Sequence, residues 1–188
     1  MSYIEDYGLN SPSRKYTLIA LALEDRKGCH KIDIMHLQKI IRYFEYLKKS
    51  QDIAYSYYKY GVVSYELEEN VEKLQDNGLV DRDERDTLTL TPEGQDIAKE
   101  LSQCIDKREL EKLMFAKQQL NDLKLDELMF FMYCLIPESV VNSTEYQRLE
   151  RKKATLVQGL FMKGRVNAAT AAKWLDLSEK DFLDGLCK

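Results

Sequence analysis

The stretch that decides the fold is GLVDRDERDTLTLTPEGQDIAKEL, residues 78–101. It begins with a glycine, which suits the C-terminal end of a helix, and an apolar pair follows. Six charged residues, 81–86, separate this pair from residues 87–91, where threonine and leucine alternate. Alternation of period two beside a polar segment predicts a β-hairpin with a charged tip. Thr91 and Pro92 then suit the N-cap and the first position of another helix.

Three amphipathic segments precede the hairpin, and each predicts a helix. The three segments are residues 14–26, 34–49 and 65–77. Their predicted N-cap residues are Ser13, Asp33 and Ser64, in that order. Leu67, Val71 and Leu74 form the buried stripe of the third helix. The aromatic stretch 53–61 fits a short strand or a turn between helices, and the pattern leaves both open.

The chain after the hairpin has a helical pattern throughout. Residues 92–120 form one long helix or two, and the apolar run 128–136 predicts a buried central helix that ends before Pro137. Three further helices are predicted at residues 144–163, 168–175 and 179–186. The fold class is therefore mainly α, a winged helix-turn-helix with a small β-hairpin wing and a C-terminal helical bundle. We expect an arm at 1–13, a winged-helix domain at 14–101, and a helical region at 102–188 that ends in a helix-turn-helix-like pair.

Residues 78–101 resemble the wing and following helix of prokaryotic winged-helix regulators. In that family a gly-leu-val sequence leads into the wing, and a leu-thr-pro-x-gly sequence leads out of it. LQKIIRYFEYL (37–47) and YKYGVVSYEL (58–67) also resemble the Panacea domain of SocA-like antitoxins, although Val62 stands where that family has proline. NAATAAKWLDLSEKDFLDGL (167–186) resembles helix-turn-helix-like tails of antitoxin-type proteins. The resemblance implies a transcription regulator that binds DNA with its third helix and wing.

Charge is unevenly distributed along the 188 residues, whose net charge is −4. Residues 61–100 hold four basic and twelve acidic side chains, whereas residues 148–188 hold nine basic and five acidic ones. The acidic block therefore falls on the third helix and wing, the elements that a winged helix presents to DNA.

Several classes of protein are disfavoured by the sequence. No apolar run approaches the roughly 18 residues of a membrane span, and no secretory signal is visible. The four cysteines, at positions 29, 104, 134 and 187, form no CxxC pair, so we expect reduced thiols in a cytoplasmic protein. Cys29, His30 and His36 lack a fourth metal ligand, and no catalytic motif occurs. We therefore expect a non-enzyme with no cofactor and no metal.

The leading hypothesis is a transcriptional-regulator-like protein that binds double-stranded DNA. Phosphate contacts require Lys and Arg, and the chain offers them mainly in its C-terminal part. The candidate nucleic-acid-binding residues are Arg148, Arg151, Lys152, Lys153, Lys163 and Arg165, with Lys73, Arg82 and Arg85 on the third helix and wing and Arg14, Lys15, Lys39 and Arg42 near the N-terminus. The alternative for the C-terminal cations is pairing with the acidic residues of the same chain or of a second copy.

The competing hypothesis is a protein–protein interaction module, antitoxin-like or adaptor-like, for a basic protein partner. The candidate partner surface consists of Tyr65, Glu69, Glu72 and Asp76, which project outward from the third helix, with Tyr57 and Tyr58. The last two belong to a cluster with Tyr55, Tyr60 and Tyr65, which serves either an interface or packing between helices. The long helices 92–120 and 144–163 either form a homodimer or wrap the central helix.

Overall fold

A computed structural model of the chain describes residues 7–59 and 61–186. The fold is mainly helical with a small antiparallel sheet. The chain forms two compact units, one of Met1–Ser56 with Val62–Asp122 and the other of Tyr57–Gly61 with Leu123–Lys188. The first unit thus extends beyond residue 101, where the sequence analysis placed the end of the first domain. Within the described ranges, no helix is long and apolar enough to cross a membrane.

The helices and the charged hairpin up to residue 120 follow the predicted order, and three short strands are added to them. The elements are α1 (Pro12–Ala22), β1 (Ile32–Asp33), α2 (Ile34–Lys48), β2 (Ser56–Tyr58), β3 (Gly61–Val63), α3 (Tyr65–Asp76), β4 (Val80–Arg82), β5 (Thr87–Leu90), α4 (Pro92–Cys104) and α5 (Lys107–Leu120). Strand β5 is the middle of an antiparallel three-stranded sheet, because Leu88 lies opposite Ile32 of β1 and opposite Arg82 of β4. The charged hairpin is confirmed, whereas β1 was missed because two residues are too short to show a pattern.

The segment around the hairpin is held by the backbone contacts that its sequence allows. Gly78 has φ +70°, in the left-handed region that a helix-terminating glycine adopts. The Thr91 side chain accepts a hydrogen bond from Gly94 N at 3.1 Å and donates one to Gly78 O at 2.7 Å. A Cβ atom at Gly94 would lie 2.0 Å from Leu79 O. The glycine of the LTPEG sequence is therefore required because α4 approaches the backbone of Leu79 so closely.

Helix α1 differs from its prediction at both ends. It begins at Pro12, with Ser11 as N-cap, because proline is pre-organised for the first turn of a helix. The predicted cap, Ser13, is buried inside the helix and accepts a hydrogen bond from Asn70 Nδ2 at 2.7 Å. The helix ends at Ala22, and Gly28 lies beyond it in the following turn.

Residues 92–120, which the sequence predicted as one long helix or two, form two helices. Asp106 separates α4 from α5, and its carboxylate accepts hydrogen bonds from Arg108 N at 2.9 Å and Glu109 N at 3.2 Å. Helix α5 packs on α2, with the rings of Tyr43 and Phe115 6.4 Å apart. This packing places α5 in the first unit rather than in a separate C-terminal bundle.

A buried polar link joins α2 to the start of α3. Gln38 Nε2 donates to Ser64 O at 2.9 Å, and Ser64 N donates to Gln38 Oε1 at 2.8 Å. Lys39, which is 1% exposed, donates from Nζ to Val62 O. The Ser64 hydroxyl then accepts from Leu67 N at 3.1 Å and caps α3, as predicted. The first turn of α3 is therefore fixed to α2 although a long loop separates the two helices in sequence.

The second unit is built around the apolar helix α6. Its elements are α6 (Leu125–Leu135), a 3-10 turn (Pro137–Val140), α7 (Tyr146–Glu150), α8 (Lys153–Met162), α9 (Ala168–Trp174) and α10 (Glu179–Leu186). The central helix is confirmed, and its Phe130 and Phe131 rings meet Trp174 edge-on at 6.3 and 5.9 Å. The prediction of a single helix over residues 144–163 is wrong, because a turn at residues 151–152 separates α7 from α8.

Removal of the buried Lys39 ammonium tests its effect on folding. Burial lowers the pKa of Lys39 from 10.5 to about 8, so the unfolded chain binds more protons between these two pH values. The contribution of Lys39 to the free energy of unfolding therefore increases as the pH rises through this interval, by up to about 3 kcal/mol. Urea unfolding should show the wild type gaining stability relative to Lys39→Met between about pH 8 and about pH 10.5. Lys107→Met, at an exposed position, is the control. If the difference in unfolding free energy from the wild type is independent of pH for both variants, the prediction is contradicted.

Candidate interaction surfaces

The outer side of α3 carries acidic residues because its apolar residues face the core. Leu67, Val71 and Leu74 are fully buried, as predicted. The opposite side of the helix consists of Tyr65, Glu69, Glu72 and Asp76, all exposed, with 58% of Tyr65 accessible. The predicted partner-surface residues of α3 therefore share one solvent-facing side.

The β4–β5 hairpin continues this acidic surface. Its exposed carboxylates are Asp81, Asp83, Glu84 and Asp86. Asp83 accepts hydrogen bonds from Arg85 N at 2.8 Å and Thr87 N at 2.9 Å, and these bonds lower its pKa. Both bonds shape the tip of the hairpin. We refer to these four residues together with the four outward residues of α3 as the acidic face.

The cations within the acidic face are largely engaged by its carboxylates. Lys73 forms an ion pair with Glu69, one helical turn away, and this contact lowers the pKa of Glu69. Arg82 contacts Asp86 at 2.9 Å and lies 3.9 Å from Glu68. Arg85 is exposed at the hairpin tip. Of the three cations predicted to contact DNA here, two are therefore in ion pairs with neighbouring acids.

The tyrosine cluster of the sequence is divided in the structure. Tyr65 belongs to the first unit, whereas Tyr57 and Tyr58 belong to the second, where Tyr58 is 48% exposed. The Tyr55 ring lies 5.2 Å from the Arg42 guanidinium, and burial raises the pKa of Tyr55. Tyr60 lies outside the described residues. The cluster therefore includes both a packed tyrosine, Tyr55, and exposed ones, Tyr58 and Tyr65.

In the second unit, the basic stretch is folded against carboxylates. Arg148 donates to both oxygens of Asp126, at 2.7 and 2.9 Å, and to Glu145 at 2.7 Å. Lys152 also contacts Asp126, at 3.1 Å. The two cations lower the pKa of Asp126 to about 2. These contacts place Asp126 at the centre of an ion-pair network that sequence spacing did not reveal, because Asp126 is 22 residues from Arg148.

Two other basic residues of the stretch, Lys153 and Lys163, also contact carboxylates. Lys153 lies 3.3 Å from Glu150 and 3.4 Å from Asp176, and Lys163 lies 2.5 Å from Glu127. Arg165 is buried. Arg151 is exposed, and no ion pair is seen between it and the part of the chain that the structure describes. Arg148, Arg151 and Lys152 do not lie on one helix, because α7 ends at Glu150.

The N-terminal cations proposed for DNA are also engaged within the fold. Lys39 is buried and cannot reach a phosphate, so its assignment to a DNA contact is wrong. Arg14 donates from Nε to Asn70 Oδ1 at 2.7 Å and from Nη1 to Tyr7 O at 2.9 Å. The Lys15 ammonium lies 4.8 Å from the Tyr16 ring.

Each of the two histidines has a ring nitrogen close to an oxygen atom of a neighbouring residue. His36 Nδ1 lies 2.5 Å from the carboxylate of Asp33, the N-cap residue of α2. His30 Nδ1 lies 2.9 Å from Ala22 O, at the end of α1. Among residues 7–59 and 61–186, no group of three or more His, Cys, Asp or Glu side chains is arranged to hold a metal ion. Cys187 lies beyond these ranges.

Comparisons with known proteins add no relative. The chain matches no protein-family model, no curated protein and no solved structure.

A double-mutant cycle measures the central ion pair of the second unit. Exposed ion pairs contribute about 0.2–1 kcal/mol to stability, and bidentate geometry favours the upper part of this range. We therefore expect a favourable coupling free energy between Asp126→Asn and Arg148→Gln, decreasing as salt screens the charges. Urea unfolding of the four proteins at low and high salt provides the measurement. The matched cycle pairs Asp126→Asn with Arg151→Gln and should show no coupling; equal coupling in both cycles would refute the assignment.

Proposed function

We propose that the chain is a non-enzymatic winged-helix protein that binds a basic protein partner through its acidic face. The order of the three helices, the β4–β5 hairpin and α4 supports the winged-helix part of the proposal, with α3 as third helix and the hairpin as wing, although β2 and β3 lie between α2 and α3. The observation that carries the functional part is the exposure of eight residues, seven of them carboxylates, on α3 and the hairpin.

Electrostatics favours a protein partner over DNA on this surface. A protein that docks on duplex DNA neutralises phosphates with Lys and Arg, and its affinity depends on the number of such contacts. The acidic face places carboxylates where those cations are needed, and its Lys73 and Arg82 are paired. The same negative potential attracts a surface rich in Lys and Arg and speeds its encounter with the protein.

The C-terminal cations do not supply a substitute DNA surface. Each of Arg148, Lys152, Lys153 and Lys163 contacts at least one carboxylate of its own unit. Exposed ion pairs are individually weak, so a phosphate can displace one of them. The carboxylate nevertheless stays beside the cation and repels the phosphate. Net attraction for DNA is therefore small even where several cations are close in sequence.

Parallel binding measurements on DNA and on proteins test the proposal. The full chain is tested for binding to random duplex DNA at about 50 and 200 mM salt, the range in which phosphate contacts reveal their salt dependence. The immobilised chain is also used to capture proteins from an extract of its source organism. We expect no DNA binding at the lower salt concentration, and capture of basic proteins that elute as salt rises.

Two charge-reversal variants locate the binding surface. Glu69→Lys with Glu72→Lys changes the acidic face, whereas Glu100→Lys with Glu111→Lys makes the same change in charge at exposed positions of α4 and α5. The captured basic proteins should be lost with the first variant and retained with the second. Identical captured sets for both variants exclude the acidic face as the interface. Salt-sensitive DNA binding by the wild type supports the regulator hypothesis instead.

A further inference from the structure

A cleft of about 860 Å³ lies within the first unit, and none of its lining residues belongs to the acidic face. Its walls come from the end of α1 and the following loop on one side, and from β5 and α4 on the other. Two other clefts have volumes of about 390 and 450 Å³ and few lining residues. Small-molecule sites have volumes of roughly 300–1,000 Å³, so this cleft has the size of such a site.

The wall on the α1 side is held in place by a buried lysine. Lys117, on α5, is fully buried and donates three hydrogen bonds from Nζ, to Ala20 O at 2.8 Å, Leu23 O at 2.6 Å and His30 O at 2.8 Å. Leu23 and His30 line the cleft. The ammonium group thus fixes the last turn of α1 and the following loop to the same point. A cleft with fixed walls binds a ligand without the entropic loss of ordering them.

The loop between α1 and β1 is ordered by a second buried group. Asp25 Oδ1 accepts hydrogen bonds from Lys27 N at 2.7 Å and Cys29 N at 2.9 Å. Its other oxygen accepts from Asn121 Nδ2 at 2.8 Å, which ties the loop to the end of α5. The rim of the cleft formed by residues 28–31 therefore rests on specific contacts with the core.

The lining of the cleft combines an apolar wall with a cationic rim. Leu21, Ala22, Leu23 and Leu90 provide apolar surface. Lys31 and Lys99 are exposed at the rim, and neither forms an ion pair within the described chain, whereas Asp96 is the one carboxylate of the lining. An apolar surface next to two available ammonium groups is complementary to a ligand with an apolar body and a negative charge.

We infer that this cleft binds a small amphiphilic organic anion, a carboxylate or sulfonate carried on an aromatic or aliphatic body. The apolar body packs against Leu23 and Leu90, and the anionic group lies near Lys31 and Lys99. The inference is independent of the proposed protein partner, because none of the cleft residues belongs to the acidic face.

Fluorescence titration with two related dyes tests both parts of the inference. Anilinonaphthalene sulfonate carries the predicted anionic group, and N-phenylnaphthylamine has the same aromatic body without it. We expect saturable binding of one sulfonate dye per chain, and binding of the uncharged dye that is weaker by about tenfold. Equal affinity for the two dyes overturns the anionic part, and the absence of saturable sulfonate binding overturns the site.

Three variants locate the dye. Ala22→Trp fills the apolar part, and Lys31→Glu with Lys99→Glu reverses the charge of the rim. Each should weaken sulfonate binding by about tenfold or more. The matched control, Lys107→Glu with Lys173→Glu, makes the same charge change at exposed positions outside the cleft and should bind as the wild type does. Circular dichroism checks that each variant is folded. If Ala22→Trp unfolds, the variant Lys31→Glu with Lys99→Glu is the remaining test. Unchanged affinity of that variant for the sulfonate dye contradicts the site.

Discussion

The reciprocal hydrogen bonds between Gln38 and Ser64 are the interaction on which the arrangement of the first unit depends. Both are buried, and a buried amide without its partners is strongly unfavourable, so the pair fixes the start of α3 against α2. The Lys39 ammonium adds a hydrogen bond to Val62 O, two residues before Ser64. With its first turn fixed and Ser64 as its cap, α3 has one orientation in which Leu67, Val71 and Leu74 reach the core. That orientation directs Tyr65, Glu69, Glu72 and Asp76 to solvent.

The functional proposal follows from this orientation together with the distribution of charge. A winged helix that binds DNA presents its third helix and wing to the phosphates. In this chain α3 and the β4–β5 hairpin, which we propose as the counterparts of these elements, expose mostly carboxylates. Four basic residues of the second unit, Arg148, Lys152, Lys153 and Lys163, are paired with carboxylates of that unit. We therefore propose a basic protein, rather than DNA, as the partner of this surface.

Local chemistry explains which features were predictable from the sequence. The caps at Asp33, Ser64 and Thr91, the glycine at 78 and the charged hairpin depend on neighbouring residues, and all were predicted correctly. The outward residues of α3 followed from its apolar stripe. Contacts between distant residues were not predictable: the Gln38–Ser64 pair, the burial of Lys39 and Lys117, the partners of Arg148, and the cleft. The break at residues 151–152 was missed because no proline or glycine marks it.

We propose that charge, rather than shape, keeps α3 from docking on DNA. The most direct measurement is the affinity of random duplex DNA for the triple variant Glu69→Lys, Glu72→Lys, Asp76→Lys, compared with the wild type over a range of salt concentrations. We predict that the wild type does not bind and that the variant does, with log affinity falling by about 0.9 per phosphate neutralised for each unit increase in log salt concentration. Binding of equal strength by the two proteins, or no binding by the variant, would contradict it.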